Sequence, residues 1–280
     1  MPSCPIIDSH LHLWDPSALR IPWLEDVPSL NRRFDLSDFD AAIEDLDVEA
    51  LVFLECDVAP DARHAEAEIA SKVDPRVRGV VASAALERGA AVEDELAPLT
   101  ELSNLRGIRR LLQGEADPAF CLRPEFLEGV RTLGRFGLSF DICVKHTQLE
   151  SVVSLAQQCP DVPMVLDHLG KPDVRTAALE PWATQIRALS RCPNVWLKMS
   201  GLATEADHAN WTREQLRPYI LNALEAFGCD RTMFGGDWPV ATLAIGYRQW
   251  IETLDWAVGE LSETDERQLY RDTAAAFYRL

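Results

Sequence analysis

No stretch of this 280-residue sequence approaches the roughly 20 consecutive apolar residues that a membrane-spanning helix needs. Basic residues are scarce, with 27 Lys and Arg against 45 Asp and Glu and a formal net charge of −18. A chain so acidic repels nucleic acid and anionic lipid at long range, so neither is expected as a partner. Cys-x-x-Cys pairs and zinc-finger spacings of Cys and His are missing. The seven cysteines are an odd number spread over the whole length, which suits reduced thiols better than a disulfide framework. The opening Met1-Pro2-Ser3-Cys4-Pro5 lacks a basic segment followed by an apolar one, so no signal peptide is expected and a cytoplasmic location is. Glycine–serine linkers, low-complexity tracts and internal repeats are also absent, and nothing in the composition marks an internal boundary.

What is present is a sizeable core, with 47% hydrophobic and 26% charged residues. Short apolar, β-branched segments recur eight times, at residues 5–11, 50–54, 79–84, 105–111, 138–144, 163–167, 195–199 and 231–235. Helical patterns separate them. Residues 36–46 carry apolar side chains at i, i+3, i+7 and i+10, with Ser37 expected as the N-cap. Residues 61–73 stop before Asp74-Pro75, and Pro124 opens another helix at a first-turn position. Further helices are expected at 148–158, 179–190, 212–227 and 247–261, and a last one at 263–278. Strands that are apolar along nearly their whole length are buried on both faces, as in a parallel sheet covered by helices. Eight such units in one unbroken alternation imply an α/β fold, a single (β/α)8 TIM barrel over residues 1–280, more readily than an open doubly wound sheet. The connection from Trp14 to Asn31 is long for a βα loop and is expected to form an ordered flap.

In such a barrel the chemistry gathers at the C-terminal ends of the strands. The first strand ends Asp8-Ser9-His10-Leu11-His12, and period-2 alternation puts Asp8, His10 and His12 on one face. Two histidines so spaced can share a metal ion or can both hydrogen-bond one substrate. Glu55 ends the second strand, Arg109 the fourth, and His168 the sixth, followed by Gly170 and Lys171. Ser200 follows the seventh. Asp237 follows the eighth after Gly235-Gly236, with Trp238 next to it. Taken singly, each has a bland reading: Asp237 as a helix cap, Glu55 as an ion-pair partner, Lys198 as a snorkelling side chain. Chance would also scatter such residues over helices and strand bottoms, so their gathering at corresponding strand ends points to function. His64 and His208 are expected at the surface, and His146 is a candidate for the barrel mouth.

The series Ile7-Asp8-Ser9-His10-Leu11-His12, Gly107-Ile108-Arg109, Asp167-His168-Leu169-Gly170-Lys171-Pro172 and Gly235-Gly236-Asp237-Trp238-Pro239 resembles the amidohydrolase superfamily over nearly the whole chain. More narrowly, it is similar to the amidohydrolase-2 group of TIM-barrel lactone hydrolases. The resemblance implies that His10, His12, His168 and Asp237 form the catalytic constellation. Many superfamily members bridge two metals with a carboxylated lysine. Here Lys145 is the only lysine near a comparable position, and the usual second-His pattern is missing, so at most one metal is expected.

The expected reaction is hydrolysis of a sugar-acid lactone such as a fucono-, rhamnono- or galactarolactone. Asp237 would act as general base on water and later protonate the ring oxygen. His10, His12, His168 and Asp237, with Glu55 as an extra ligand, would hold one divalent ion such as Zn or Mn, although metal-free catalysis is equally open because a lactone is an activated ester. Arg109, Lys171, Ser200 and Trp238 are the expected substrate contacts, Arg109 as a bidentate fork. A small-molecule lactone is thus the expected partner, and the oligomeric state is open, a homo-oligomer included. Two alternatives stand beside this reading: a 2-pyrone-4,6-dicarboxylate or muconolactone-type lactonase, and a metal-dependent decarboxylase of the same superfamily. The scarcity of basic residues slightly favours a neutral polyol lactone.

Overall fold

The computed structural model describes residues 1–280. Eight parallel strands form one sheet in sequential order: β1 (Ile6–Leu11), β2 (Val48–Leu54), β3 (Val77–Ser83), β4 (Leu105–Arg109), β5 (Ser139–Ile142), β6 (Met164–Leu166), β7 (Val195–Met199) and β8 (Thr232–Phe234). Every one of the eight expected strands is present, with ends displaced by a few residues. The sheet closes through a parallel bridge between Leu11 and Trp238 and through amides that Asp237 and His12 donate to the carbonyls of His10 and Trp238, both at 2.8 Å. The result is a (β/α)8 barrel whose closing seam is short and lies at the C-terminal rim.

Helices α1 (Leu36–Ile43), α2 (Arg63–Lys72), α3 (Glu93–Leu99), α4 (Pro124–Arg135), α5 (Leu149–Gln158), α6 (Trp182–Leu189), α7 (Arg213–Phe227) and α8 (Tyr247–Val258) cover the outside. The segment expected as one last helix is instead α9 (Glu263–Arg267) and α10 (Thr273–Tyr278), joined by a π-helical turn. The N-cap of α1 is Asp35, not Ser37. Asp35 accepts the amides of Ser37 and Asp38 while Asp38 reaches back to the Asp35 amide, a reciprocal box that a serine two residues into the pattern cannot close.

Inward-facing residues of the strands divide the barrel into two levels. The lower interior is apolar, filled by Ile7, Val52, Val81, Val165 and Met233 and floored by Phe277 and Tyr278. The upper interior is polar, and it carries the site. At the burial free energy of roughly 25 cal/mol per Å² of apolar surface, the lower plug holds the strands in register and the upper level inherits its rigidity.

Candidate active site

At the mouth, three imidazoles and a carboxylate converge. Nε2 of His10 lies 3.2 Å from Nε2 of His12, and Asp237 Oδ1 lies 3.7 and 3.6 Å from these two nitrogens. The second Asp237 oxygen, Oδ2, sits 3.9 Å from Nδ1 of His168, whose ring centre is 4.4 Å from that of His10. All four residues are at most 5% exposed. His168 and Asp237 both adopt positive φ, 52° and 51°, which non-glycine residues rarely do and which turns each side chain back over the barrel.

Each imidazole is aimed by its other nitrogen. Nδ1 of His12 donates to the carbonyl of Leu54 at 2.9 Å, because a carbonyl can only accept. Nδ1 of His168 meets Ser200 Oγ at 2.9 Å. Arg109, which can only donate, lies 3.2 Å from Nε2 of His10. The Nε2 atoms of His10 and His12 thus stand 3.2 Å apart, close enough to share a proton or one cation. Three nitrogens plus a carboxylate are a donor set suited to a zinc-class ion, and two nitrogens 3.2 Å apart suit bonds of about 2.0–2.1 Å to one shared ion. Burial, together with the charge of Lys198, holds the pKa of His10 well below the ordinary histidine value. Burial does the same for His168, outweighing the pull of Asp237. Burial would raise the Asp237 pKa, but the adjacent His168 and His12 imidazoles outweigh it and hold the carboxyl below its usual range. Asp237 thus stands as a carboxylate beside His10 and His168, whose charged forms burial disfavours.

Glu55 and Arg109 are brought to the rim of the cluster but to each other. Arg109 Nε donates to Glu55 Oε1 at 2.6 Å and Nη2 to the Glu55 carbonyl at 2.6 Å, while the Asp57 amide holds Oε2. Glu55 is therefore spent on an ion pair and does not face the imidazole nitrogens, and Arg109 has little of its fork left for a substrate. Ser200 is fully buried and serves His168, so it is not a substrate contact. Trp238 is turned away as well: the bridge to Leu11 sends its indole outward to pack on Phe34 and Phe39 at 5.6 and 5.4 Å. Asp8 is not on the face of His10 and His12. A register shift between Asp8 and Leu11 interrupts the alternation, and the Asp8 carboxylate accepts instead from Tyr247 of α8 and the Gly236 amide. Lys145 is exposed, and His146 Nδ1 donates to the Lys171 carbonyl at 3.0 Å, bracing that loop.

Lys171 does face the cavity, with Nζ 3.8 Å from Glu205. The cavity, about 240 Å³, is also lined by Trp14, Trp23, Gln113, Cys143 and Thr204. Trp14 and Trp23 come from the long first loop, which is ordered: Trp23 donates to the Cys56 carbonyl at 2.8 Å and the two indoles meet edge to face. The bland reading of Lys198 as a snorkelling side chain fails, because it has no exposed surface at all. It lies 2.6 Å from Asp141 and 3.1 Å from Asp167 beneath His10. Asp141 and Lys198 are charged residues inside otherwise apolar strands, and Asp167 directly follows β6.

The Amidohydrolase family model matches residues 7–280. The chain belongs to the amidohydrolase family. An L-fucono-1,5-lactonase of Burkholderia multivorans is 33% identical, covering 98% of this chain and 96% of its own. An L-rhamnono-gamma-lactonase of Scheffersomyces stipitis is 23% identical with 98% of each chain covered. A crystal structure of an amidohydrolase from Burkholderia multivorans with bound zinc superposes with a TM-score of 0.88 at 31% identity, covering 99% of this chain and all of that one. Within this amidohydrolase, two glycines deserve mention for what they admit. A Cβ on Gly201, whose φ is +57°, would stand 2.5 Å from His168 Nδ1 and 2.7 Å from Asp237 Oδ2. One on Gly236 would collide with Tyr247 and Asp8. Gly201→Ala is expected to lower kcat/KM by at least about 100-fold, since a displacement near 1 Å costs that much. Steady-state kinetics beside a thermal melt checks it, and unchanged kcat/KM would refute the close approach.

Behind β2, Glu66 of α2 is buried and accepts the Cys56 amide at 2.8 Å. Burial, then repulsion from Glu55, pushes its pKa up to about 8. A carboxyl whose folded pKa is raised binds its proton more tightly when folded, so its contribution is complete below the unfolded value and is lost as pH rises towards 8. Glu66→Gln keeps the acceptor without the charge. At pH 8.5 it is expected to be more stable than the parent by about 1–3 kcal/mol, and at pH 5 indistinguishable, by urea unfolding. Equal stability at both pH values would contradict the assignment.

Proposed function

We propose that this amidohydrolase opens the lactone ring of a neutral sugar acid. The observation that carries the reading is the convergence of His10, His12, His168 and Asp237, with His12, His168 and Asp237 lining one cavity of small-molecule size and His10 packed behind them. The lactonase names of its relatives support the reaction class. Asp237, its carboxyl held below the usual range, accepts the proton of a water as that water attacks the ring carbonyl, then returns it to the ring oxygen as the acyl–oxygen bond breaks. With no ion bound, His168, locked by Ser200, presents its free nitrogen to the substrate. Lys171 and the polar side chains of Gln113 and Thr204 bind ring hydroxyls. A divalent ion held by His10, His12, Asp237 and His168 would supply Lewis-acid polarisation of the carbonyl.

Charge favours a neutral substrate over a dicarboxylate. Of the two cations lining the cavity, Arg109 is paired with Glu55 and Lys171 lies near Glu205, while Asp57 and Asp237 add negative charge. No unpaired guanidinium remains to receive a carboxylate, and two would be needed.

A pH-indicator assay with neutral aldono-1,4- and 1,5-lactones, aldarolactones and 2-pyrone-4,6-dicarboxylate tests this. Acid release is expected from the neutral lactones, with kcat/KM above that of the dianions. A preference for the dicarboxylate would overturn the substrate class. Release of CO2 from a carboxylated substrate without lactone opening would overturn the reaction. Elemental analysis after chelation decides the ion: full activity in metal-free protein would remove it and leave the acid–base chemistry standing.

A further inference from the structure

Four successive residues after β6, His168 to Lys171, hold left-handed backbone conformations, with φ of 52°, 54°, 70° and 49°. Only one of them is glycine, and other residues keep such a conformation only where their surroundings over-determine it. The first three have their own anchors. His168 Nδ1 meets Ser200 Oγ at 2.9 Å, and the Leu169 carbonyl accepts the Trp182 indole N–H at 2.7 Å. Gly170 is wedged so tightly that a Cβ there would stand 2.7 Å from Leu149. Lys171 is held differently. Its carbonyl accepts the His146 amide at 3.3 Å and the His146 Nδ1–H at 3.0 Å, and no other group donates to it. At the far end of the side chain, Nζ is 3.8 Å from Glu205, beyond hydrogen-bond reach. His146 is itself well placed to serve as the anchor. It opens a short turn whose Gln148 is buried, accepts the Lys145 amide at 2.8 Å and donates to the Leu112 carbonyl at 2.7 Å.

We propose that His146 is a positioning residue for substrate binding: by holding the Lys171 carbonyl, its imidazole keeps Lys171 in the left-handed conformation that turns its side chain into the cavity. The inference rests on the reading of Lys171 as a contact to the substrate's ring hydroxyls. Pro172 pulls the other way, because a residue before proline prefers extended backbone with φ of about −120°. Released from His146, Lys171 turns towards that conformation, and its Cα–Cβ bond swings away from the cavity. His168 keeps its own anchors, so the loss falls on binding and not on the chemical step.

Two variants separate the hydrogen bond from the bulk of the ring. His146→Leu removes the donor, whereas the side-chain amide nitrogen of His146→Asn stands where Nδ1 did. His146 is only half-buried, so neither change should threaten folding, and a thermal melt checks that. On a neutral lactone, His146→Leu is expected to raise KM about 10-fold with kcat little changed, the scale of one hydrogen bond from a charged group to substrate. His146→Asn should stay within about 2-fold of the parent, and in a Lys171→Met background His146→Leu should add less than about 2-fold, because the two act as one unit. Parental KM in His146→Leu, equal impairment in His146→Asn, or the full loss again in the Lys171→Met background would each overturn the proposal. A second readout needs no substrate. Lys171-Pro172 is the only Lys–Pro step in the chain, so protein carrying carbonyl-13C lysine and 15N proline gives one carbon–nitrogen correlation. Its carbon resonance is expected to move upfield in His146→Leu, as a carbonyl losing a hydrogen bond does, and to stay in place in His146→Asn. An unmoved resonance in His146→Leu would overturn the clamp. A resonance that moves while Lys171→Met leaves KM unchanged would sink Lys171 as a substrate contact and leave the hold on its backbone standing.

Discussion

Asp237→Asn is expected to lower kcat by about 10²–10⁴-fold, the range that a positioned general base contributes. The amide keeps the shape of the carboxylate and its place on the left-handed turn, but it cannot take a proton from water. Folding should be little affected, because none of the histidine contacts of Asp237 is shorter than 3.6 Å. The loss should fall on kcat, since the residue acts on the water and not on the ring hydroxyls. Kinetics on a neutral lactone, beside a thermal melt, checks both halves. A variant with parental kcat would remove Asp237 from the chemistry. A variant that unfolds would show that its role is structural.

Arg109→Met is expected to destabilise the protein by about 3–5 kcal/mol, the usual cost of breaking a buried ion pair from one side. Arg109 is 4% exposed and is the shared partner of Glu55 and Asp167, so its removal strands two carboxylates. Burial alone would lower the guanidinium pKa, but Glu55 and Asp167 raise it well above the usual value, which is the same coupling seen from the other side. Urea unfolding gives the number. Combining Arg109→Met with Glu55→Gln should restore part of the loss, because one of the stranded charges is gone. A single variant within 1 kcal/mol of the parent would mean that the network is worth little.

The eight strands and their order were legible because a parallel strand buried on both faces leaves a continuous apolar run, and no linker interrupts the alternation. His10, His12, His168 and Asp237 were legible for a related reason: polar residues at the ends of such runs stand out. What pairs with what was not. Glu55 and Arg109 lie 54 residues apart, and only the barrel's closure makes them partners instead of ligand and substrate clamp. The register shift in β1 leaves no mark in the sequence, so strict alternation misplaced Asp8. Trp238 adjoins Asp237 in the chain, yet the Leu11 bridge turns it to the outer layer. Asp141 and Lys198 did carry a signal. Each is a charge within an apolar strand, on the inward parity, and two opposite charges on β5 and β7 are reason to look for a buried pair between them.

In the proposed reaction, water attacks a carbonyl with Asp237 as its base. Hydrolysis of the preferred lactone in 18O-labelled water, followed by mass spectrometry of the product acid, tests that step. One 18O atom is expected in the product carboxylate and none in the released hydroxyl, at a rate that falls with Asp237→Asn. Label at the hydroxyl carbon, or incorporation at the parental rate in Asp237→Asn, would contradict it.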